Sequence, residues 1–498
     1  MFGRPKAERY LSVIEFYSER VRRTGFPSGE GLAHPEGAWS DNIYPPTHNT
    51  NTLANSPNPD QDGVERDDRG KDLPQLSLQS IHDRHEMIKF FDGQSEALLE
   101  PTVDQRARHP LVKSHLLEIL SAAPGSGDEV LLNSFSGHGL MLNKVDSGLY
   151  LVRDQRIGDV GFLERLSPRV AVVYSVLQTQ PLDAWVRRVV YSSPDLDHVW
   201  LSGLTFGVLW GLVTKLSKSD RFTRLVFTHD SIFEVDRWES ESELDEEENG
   251  TADENHSGDQ VAEEKEGIEE HRVTSFRLVD RLGIIQSRLQ QMQDVYSPLY
   301  AISQLRFPSP VGPGGHDFYD NGKVTNRSPS FRDHRAHLLF VVRIYEKLLR
   351  STEQSAWYSI KESIEIPGKF GKIVGSPVTI RFQEPGLDPD VFKGWITKTF
   401  SRKRNRFRLW GNPIWLGPTK VHVYGVDRHL WQPLWLELTE SGCTAIIPNG
   451  TCGNTVHRLV TNIQRFLDPG ASVQIGSKPY SELVQESALG VPYDFKSE

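Results

Sequence analysis

The stretch spanning residues 443–467 constrains the fold more than any other. An apolar run, Cys443-Thr-Ala-Ile-Ile-Pro448, meets a small-residue loop, Asn449-Gly-Thr-Cys-Gly-Asn454, and then an amphipathic helix. From Thr455, apolar residues recur at Val456, Leu459, Val460, Ile463, Phe466 and Leu467, the i, i+3, i+4, i+7 stripe of a helix lying on a core. Arg458, Thr461, Asn462 and Arg465 fall on the other side, where a helical wheel expects a solvated face. Asn454 is the expected N-cap, and Asp468-Pro469-Gly470 is the expected stop. A helix start leaves backbone N–H groups unpaired at its positive end, so this loop is a seat for an anion.

Cys452 and Arg458 sharpen that expectation. Their Cys-x5-Arg spacing resembles the phosphate-binding signature of cysteine-dependent phosphatases, in which a thiolate attacks phosphorus and the arginine clamps the oxygens. The resemblance covers seven residues and implies Cys452 as nucleophile and Arg458 as anion clamp. It departs from the pattern at Thr451, where histidine is usual, at Thr455, where glycine is usual, and at Leu459, where a hydroxyl residue is usual. The plainer reading is a small packing cysteine and a solvated arginine. Ser136-Gly-His-Gly139 resembles the histidine corner of caspase-like proteases, which set their cysteine after a later strand of the same domain. Here no cysteine lies between His138 and Cys443, which leaves a Gly-rich turn. No family is recognised across a whole domain.

The chain has 498 residues, 37% of them hydrophobic, long enough for two or three domains with real cores. Its two cysteines can build neither a disulfide framework nor a four-cysteine zinc site, which reads as intracellular, cytoplasmic or nuclear. The start, Met-Phe-Gly-Arg-Pro-Lys, has charge with no apolar core behind it and does not read as a secretory signal. From Val199 to Thr214 run sixteen uncharged residues, short of the ~20 needed to span a bilayer. No membrane span is therefore expected, and Gly203, Gly207 and Gly211 read as the face on which a helix presses against a sheet.

The net charge of -11 is concentrated. Between Asp236 and Glu270 stand 16 acidic residues against Arg237 and Lys265, and the remainder of the chain carries +3. Residues 239–270 therefore read as a disordered acidic insertion.

Around it the chain divides as follows. Residues 1–79 read as an N-terminal helix (residues 6–23) and a flexible linker. Residues 80–365 read as a mixed α/β domain. Helices are expected over 81–91, 111–122, 183–192, 204–215, 276–295 and 338–349, and strands at 130–132, 149–152, 169–174, 198–201, 224–228 and 302–307. Strands alternating with helices predict a mixed sheet layer with some parallel pairing. Asp195, Asp197, His198, His229 and Asp230 lie at strand ends, where ligands gather in open parallel sheets, although turns and caps use such residues more often. Residues 366–482 read as a smaller antiparallel-sheet α+β domain. A strand over 378–382 precedes a helix starting at Asp388-Pro389, and short strands follow at 407–410, 421–424, 434–438 and 445–447. Residues 483–498 form a tail. The fold class is thus multidomain, α+β with α/β.

A second candidate site occupies residues 312–335, a polar loop before the apolar helix. Lys323, Arg327 and Arg332 would hold a phosphate or carboxylate there, and His316 with Asp317 would move a proton. Ser330 and Asp333 have the spacing of a capping box, placing this loop too at a helix start. His334 and His337 are helix neighbours with no third ligand fixed, so no metal is assigned, and no cofactor signature appears. The basic run from Lys398 to Arg408, with Phe400, Phe407 and Trp410, has the composition of a single-stranded nucleic-acid site. The favoured alternative is core rings beside a solvated helix end.

With no complete catalytic set, the chain reads first as an interaction or regulatory protein with a protein partner. The alternative is an enzyme acting on a phosphorylated or other anionic substrate through residues 312–335, with or without Cys452.

Overall fold

The structure is a computed structural model that describes residues 78–97, 111–120, 127–136, 140–155, 158–234, 274–292, 297–362, 370–400 and 405–493. These fall in one compact unit, residues 75–498. The expectations for residues 6–23, 137–139 and 239–270 lie outside the described residues.

Two sheets organise the chain, and the long helix contributes to the core beneath each. The first takes β1 (Lys113–Ile119), β2 (Leu140–Asp146), β3 (Leu149–Asp154), β4 (Gly158–Arg165), β5 (Val170–Ser175), β6 (Leu196–His198), β7 (Phe222–His229), β8 (Thr274–Arg281), β9 (Ile302–Pro308), β10 (Gly315–Tyr319) and β11 (Lys323–Asn326). Their order is β2-β3-β4-β5-β1-β11-β10-β9-β7-β8, with β6 also on β1. The second sheet takes β12 (Trp357–Glu362), β13 (Phe370–Val374), β14 (Val378–Arg381), β15 (Leu409–Gly417), β16 (Lys420–Asp427), β17 (Gln432–Thr439), β18 (Gly442–Pro448), β19 (Ser472–Ile475) and β20 (Lys478–Pro479). β15 to β18 form the expected antiparallel meander, in which alternate residues such as Val421, Val423, Leu436 and Leu438 face the core.

The helices are α1 (Arg84–Glu96), α2 (Gly127–Ser136), α3 (Thr179–Ser192), α4 (Gly203–Leu216), α5 (Leu282–Met292), α6 (Phe331–Ala356), α7 (Pro389–Thr399), α8 (Asn454–Phe466) and α9 (Tyr480–Ala488). One face of the first sheet packs on α1, α4, α5 and α6 through Leu116, Leu225, Leu305, Phe318 and Val324. The opposite face of β1 to β5 packs on α2 and α3, with Leu117, Ile119 and Val173 meeting Phe135 and Trp185 of the helices. The 26 residues of α6, about 39 Å at 1.5 Å per residue, join the cores, with Phe340 and Val341 in the first and Leu348 and Ala356 in the second.

The protein is α+β with two largely antiparallel sheets. The expected parallel pairing in the first sheet is corrected, since its pairs are antiparallel. The parallel pair among the described strands joins β12 to β18 in the second. Two element types are reversed. Residues 111–122 hold β1 rather than a helix, because a strand buried on both faces does not alternate and its Leu-Leu-Glu-Ile run mimics a helical stripe. Residues 130–132 lie in α2, where Leu131 and Phe135 are buried one turn apart and Leu132 points out. The expected helix over 276–295 divides into β8 and α5, the strand showing strict alternation of half-buried and exposed residues.

Helix α8 forms where expected, and Val456, Leu459, Val460, Ile463 and Phe466 are all at most 5% exposed. Each such burial contributes about 1.5–3 kcal/mol. The solvated face is corrected, however: Arg458, Thr461 and Asn462 are buried as well. The N-cap is Gly453, and Asn454 is already helical, its amide donating to Asp197 and to the His198 carbonyl.

Candidate functional site

The 312–335 segment is a buried hairpin, β10 and β11, followed by the start of α6, and not a loop. Alternation along each strand decides where its candidate residues go. His316 and Phe318 face the helices, whereas Asp317, Tyr319 and Lys323 face the other side of the sheet. The turn between the strands requires Gly322, with φ +75° and a position where a Cβ would stand 2.7 Å from the Val199 carbonyl oxygen.

On that other side lies a cleft of about 80 Å³, room for several waters or one phosphate- or carboxylate-sized group. Arg224 of β7, Arg277 of β8, Lys323 of β11 and Arg465 of α8 line it, with Asp183 of α3 and Asp320 beside Tyr319. Four cations thus face two carboxylates. Lys323 Nζ donates to Asp183 at 2.9 Å and lies 5.1 Å above the Tyr319 ring, while His115 reaches Asp183 at 3.0 Å. Burial opposes ionisation of Asp183, but Lys323 and His115 together outweigh it and hold the carboxyl well below the usual carboxylate range. Arg465 pairs with Asp230 at 2.7 Å and with Asp320 at 3.2 Å. Arg277 is exposed at the rim.

Asp317 and Arg327 meet each other. Asp317 is fully buried, and Arg306 at 2.6 Å and Arg327 at 2.8 Å clamp it, with Arg224 at 4.0 Å. Despite burial, Arg306 and Arg327 hold it ionised far below the ordinary range. His316, one residue away, points into the helices and joins a buried chain: Ser114 to His334 at 2.7 Å, His334 to His316 at 3.2 Å, His316 to Asp333 at 3.0 Å, and His337 to Tyr493 at 3.1 Å. Burial lowers the His316 pKa to about 4. The proposed proton pair therefore faces two different sides of the sheet. Arg332 lies outside both groups, 55% exposed at its side chain and 3.3 Å from Asp92.

Cys452 and Arg458 occupy the interior between the sheets. Arg458 donates through Nε to the Phe407 carbonyl at 2.9 Å and pairs with both Asp197 and Asp427. Arg408 reaches the same Asp197 at 3.1 Å, and Arg406 reaches Asp320 at 3.0 Å. The expected solvated or nucleic-acid-facing cations of this run are thus corrected at Arg406 and Arg408, and Phe400 and Phe407 are core. The Cys452 thiol donates to Glu118 at 3.1 Å, with Arg169 at 3.4 Å, and burial with the Glu118 carboxylate pushes it well above its ordinary pKa.

Both helix starts do seat an anion, and in each case it is the chain's own. At α8, the Gly453 N–H donates to Glu353 at 3.1 Å. At α6, the Phe331 and Arg332 N–H groups donate to Asp92 at 2.7 and 3.1 Å, while Ser330 caps Asp333 as the spacing predicts. Asp197, among the strand-end candidates, is the hub of the buried network, and Asp230 holds Arg465.

Several residues here escape sequence reading. Glu118 signals itself only as a charge inside an apolar run. Asp183 and Glu353 look like ordinary helix-surface residues. His429 sits in a turn without a motif, where Leu430 and Trp431 adopt φ of 66° and 54°.

A family model described as MJECL33-like protein matches residues 75–481. The chain is similar to the uncharacterised protein MJECL33 of Methanocaldococcus jannaschii, 22% identical over 348 residues, which cover 66% of this chain and 79% of the relative. No solved structure matches the chain. Among the described residues, no helix is long and apolar enough to cross a membrane. With residues 75–481, well over half of its length, inside that match, the chain belongs to the MJECL33-like protein family.

Proposed function

We propose that this chain is a binding protein whose cleft over β7, β8, β9 and β11 takes a small anionic group, a phosphate or carboxylate carried by a partner. The carrying observation is the convergence of Arg224, Arg277, Lys323 and Arg465 on one cavity against two carboxylates. A cleft lined by one excess sign concentrates an oppositely charged ligand. Lys323, singled out from sequence as an anion holder, stands in it, and Arg465 comes to it from α8. The candidate nucleophile and proton carriers are elsewhere: Cys452 is 1% exposed and His316 is fully buried on the opposite face of the hairpin. This supports the binding reading over the hydrolytic one. Two free, buried cysteines support an intracellular setting.

Tripolyphosphate titrated into the full chain by calorimetry tests the proposal. Binding is expected at low salt and weakens as salt rises. Arg277→Gln at the exposed rim removes one charge-assisted bond, worth about 1.5–3 kcal/mol, and so lowers affinity roughly 10- to 100-fold without unfolding the chain. Unchanged affinity in Arg277→Gln and in Arg465→Gln would remove the cleft from the account. Hydrolysis of a phosphoester that both Cys452→Ser and His316→Ala abolish would restore the enzyme reading.

A further inference from the structure

We infer that Glu118, His429 and Cys452 form a binding site for a divalent, zinc-like metal ion. One oxygen, one nitrogen and one sulfur from these side chains all lie within 4.8 Å of one another, and all three residues are buried. Tetrahedral zinc with bonds of about 2.0–2.3 Å sets its ligand atoms roughly 3.3–3.8 Å apart, so a contraction of about 1 Å closes the set. The three come from distant places: Glu118 from the middle of β1, His429 from the turn after β16, and Cys452 from the entry to α8.

The second observation is the imidazole of His429. Nδ1 lies 2.8 Å from the Pro194 carbonyl oxygen, which can only accept, so Nδ1 carries the proton and Nε2 presents a lone pair. That Nε2 is buried with no hydrogen-bond partner among the described residues. A carbonyl that fixes the tautomer of a metal-binding histidine is the usual outer support of such a site. Thiolate and imidazole together select zinc-like ions over magnesium or calcium.

Charge agrees. Glu118 and Glu353 share a single guanidinium, Arg169, at 2.6 and 2.8 Å. One negative charge is left over in a buried place. A divalent ion binds as the Cys452 S–H bond gives way to a metal–sulfur bond, with one proton released to solvent, and the local charge is then balanced. Arg169 lies 3.4 Å from the sulfur and is the one partner of the site with appreciable exposure, 22% at its side chain. It competes with the metal for Glu118 and can retain Glu353 when the metal enters. A rival trio, His316, Asp333 and His337, has its ring nitrogens engaged in the Ser114-to-Tyr493 chain.

The test uses the full chain, freed of metal by chelation and titrated with Co²⁺ and Zn²⁺. One equivalent of Co²⁺ is expected to give the near-ultraviolet sulfur-to-cobalt charge-transfer band with tetrahedral visible bands. Cys452→Ser removes the charge-transfer band, and His429→Gln weakens Zn²⁺ by more than the roughly 10- to 100-fold that follows loss of an outer partner. Cys443→Ser and His316→Ala change neither. Arg169→Met strengthens Zn²⁺ binding and makes thermal stability depend on added Zn²⁺, which a purely structural cluster would not do. Absence of the charge-transfer band in the unaltered chain, its survival in Cys452→Ser, or Zn²⁺ affinity unchanged in both His429→Gln and Arg169→Met would overturn the inference.

Discussion

Replacing Arg458 by Met probes the buried interior most directly. The guanidinium is 1% exposed and has three acceptors: the Phe407 carbonyl, Asp197 and Asp427. Once it is removed, Asp197 keeps Arg408 at 3.1 Å and the Asn454 amide at 3.2 Å. Among the described residues, Asp427 then keeps uncharged donors, the Thr455 hydroxyl and the His429 backbone N–H at 2.9 Å. Breaking a buried ion pair by removing one partner costs about 3–5 kcal/mol, because the other charge stays buried. Against a total stability of about 5–15 kcal/mol, the loss is a large shift in the urea midpoint, read by tryptophan fluorescence. Because a stranded charge is the cause, adding Asp427→Asn to Arg458→Met should recover about 1–3 kcal/mol, the desolvation part of the penalty. A solvated arginine, as the helical wheel alone would have it, costs less than about 0.5 kcal/mol on removal. A loss that small, or a double variant weaker than the single one, would refute the reasoning.

Burial lowers the pKa of His198 to about 3, of His316 to about 4 and of His457 to about 3, whereas the unfolded chain takes up protons at such rings near pH 6.5. Their contribution is complete above about pH 6.5 and falls as pH drops toward the folded values, each ring costing about 1.4 kcal/mol per pH unit. Urea midpoints unchanged between pH 7.5 and 5 would contradict this. A lower window belongs to Asp183 and Asp317, whose depressed values give stability that is present above about pH 4 and lost below it. Cys452, buried and with its pKa raised, should react with iodoacetamide only when the chain unfolds, so native labelling as fast as that in urea would show an open site.

How much of this was legible beforehand depends on the kind of pattern. The meander β15–β18, the helices α4, α7 and α8, and the Ser330 cap were readable because alternation, helical stripes and capping spacing are local. β1 and α2 are hidden from sequence because full burial erases alternation in a strand, and a three-residue apolar run fits either period. Of the residues that sequence reading names as anion holders, Lys323 lines the cleft, whereas Arg327 pairs with Asp317, which that reading sets beside His316 as a proton carrier. That Asp317 would turn from His316 follows from strand alternation, and became readable only once the segment was known to be a hairpin.

Sequence by itself determined which side of α8 is apolar and that its start would attract a negative charge. Only the tertiary structure decided that its polar side would be dry, and that the charges at the two starts would be Glu353 and Asp92. The reason is that a stripe of residues specifies what a face excludes, whereas its partner comes from elsewhere in the chain: Asp197 lies 261 positions before Arg458. No periodicity links them, and only the folded chain brings the two together.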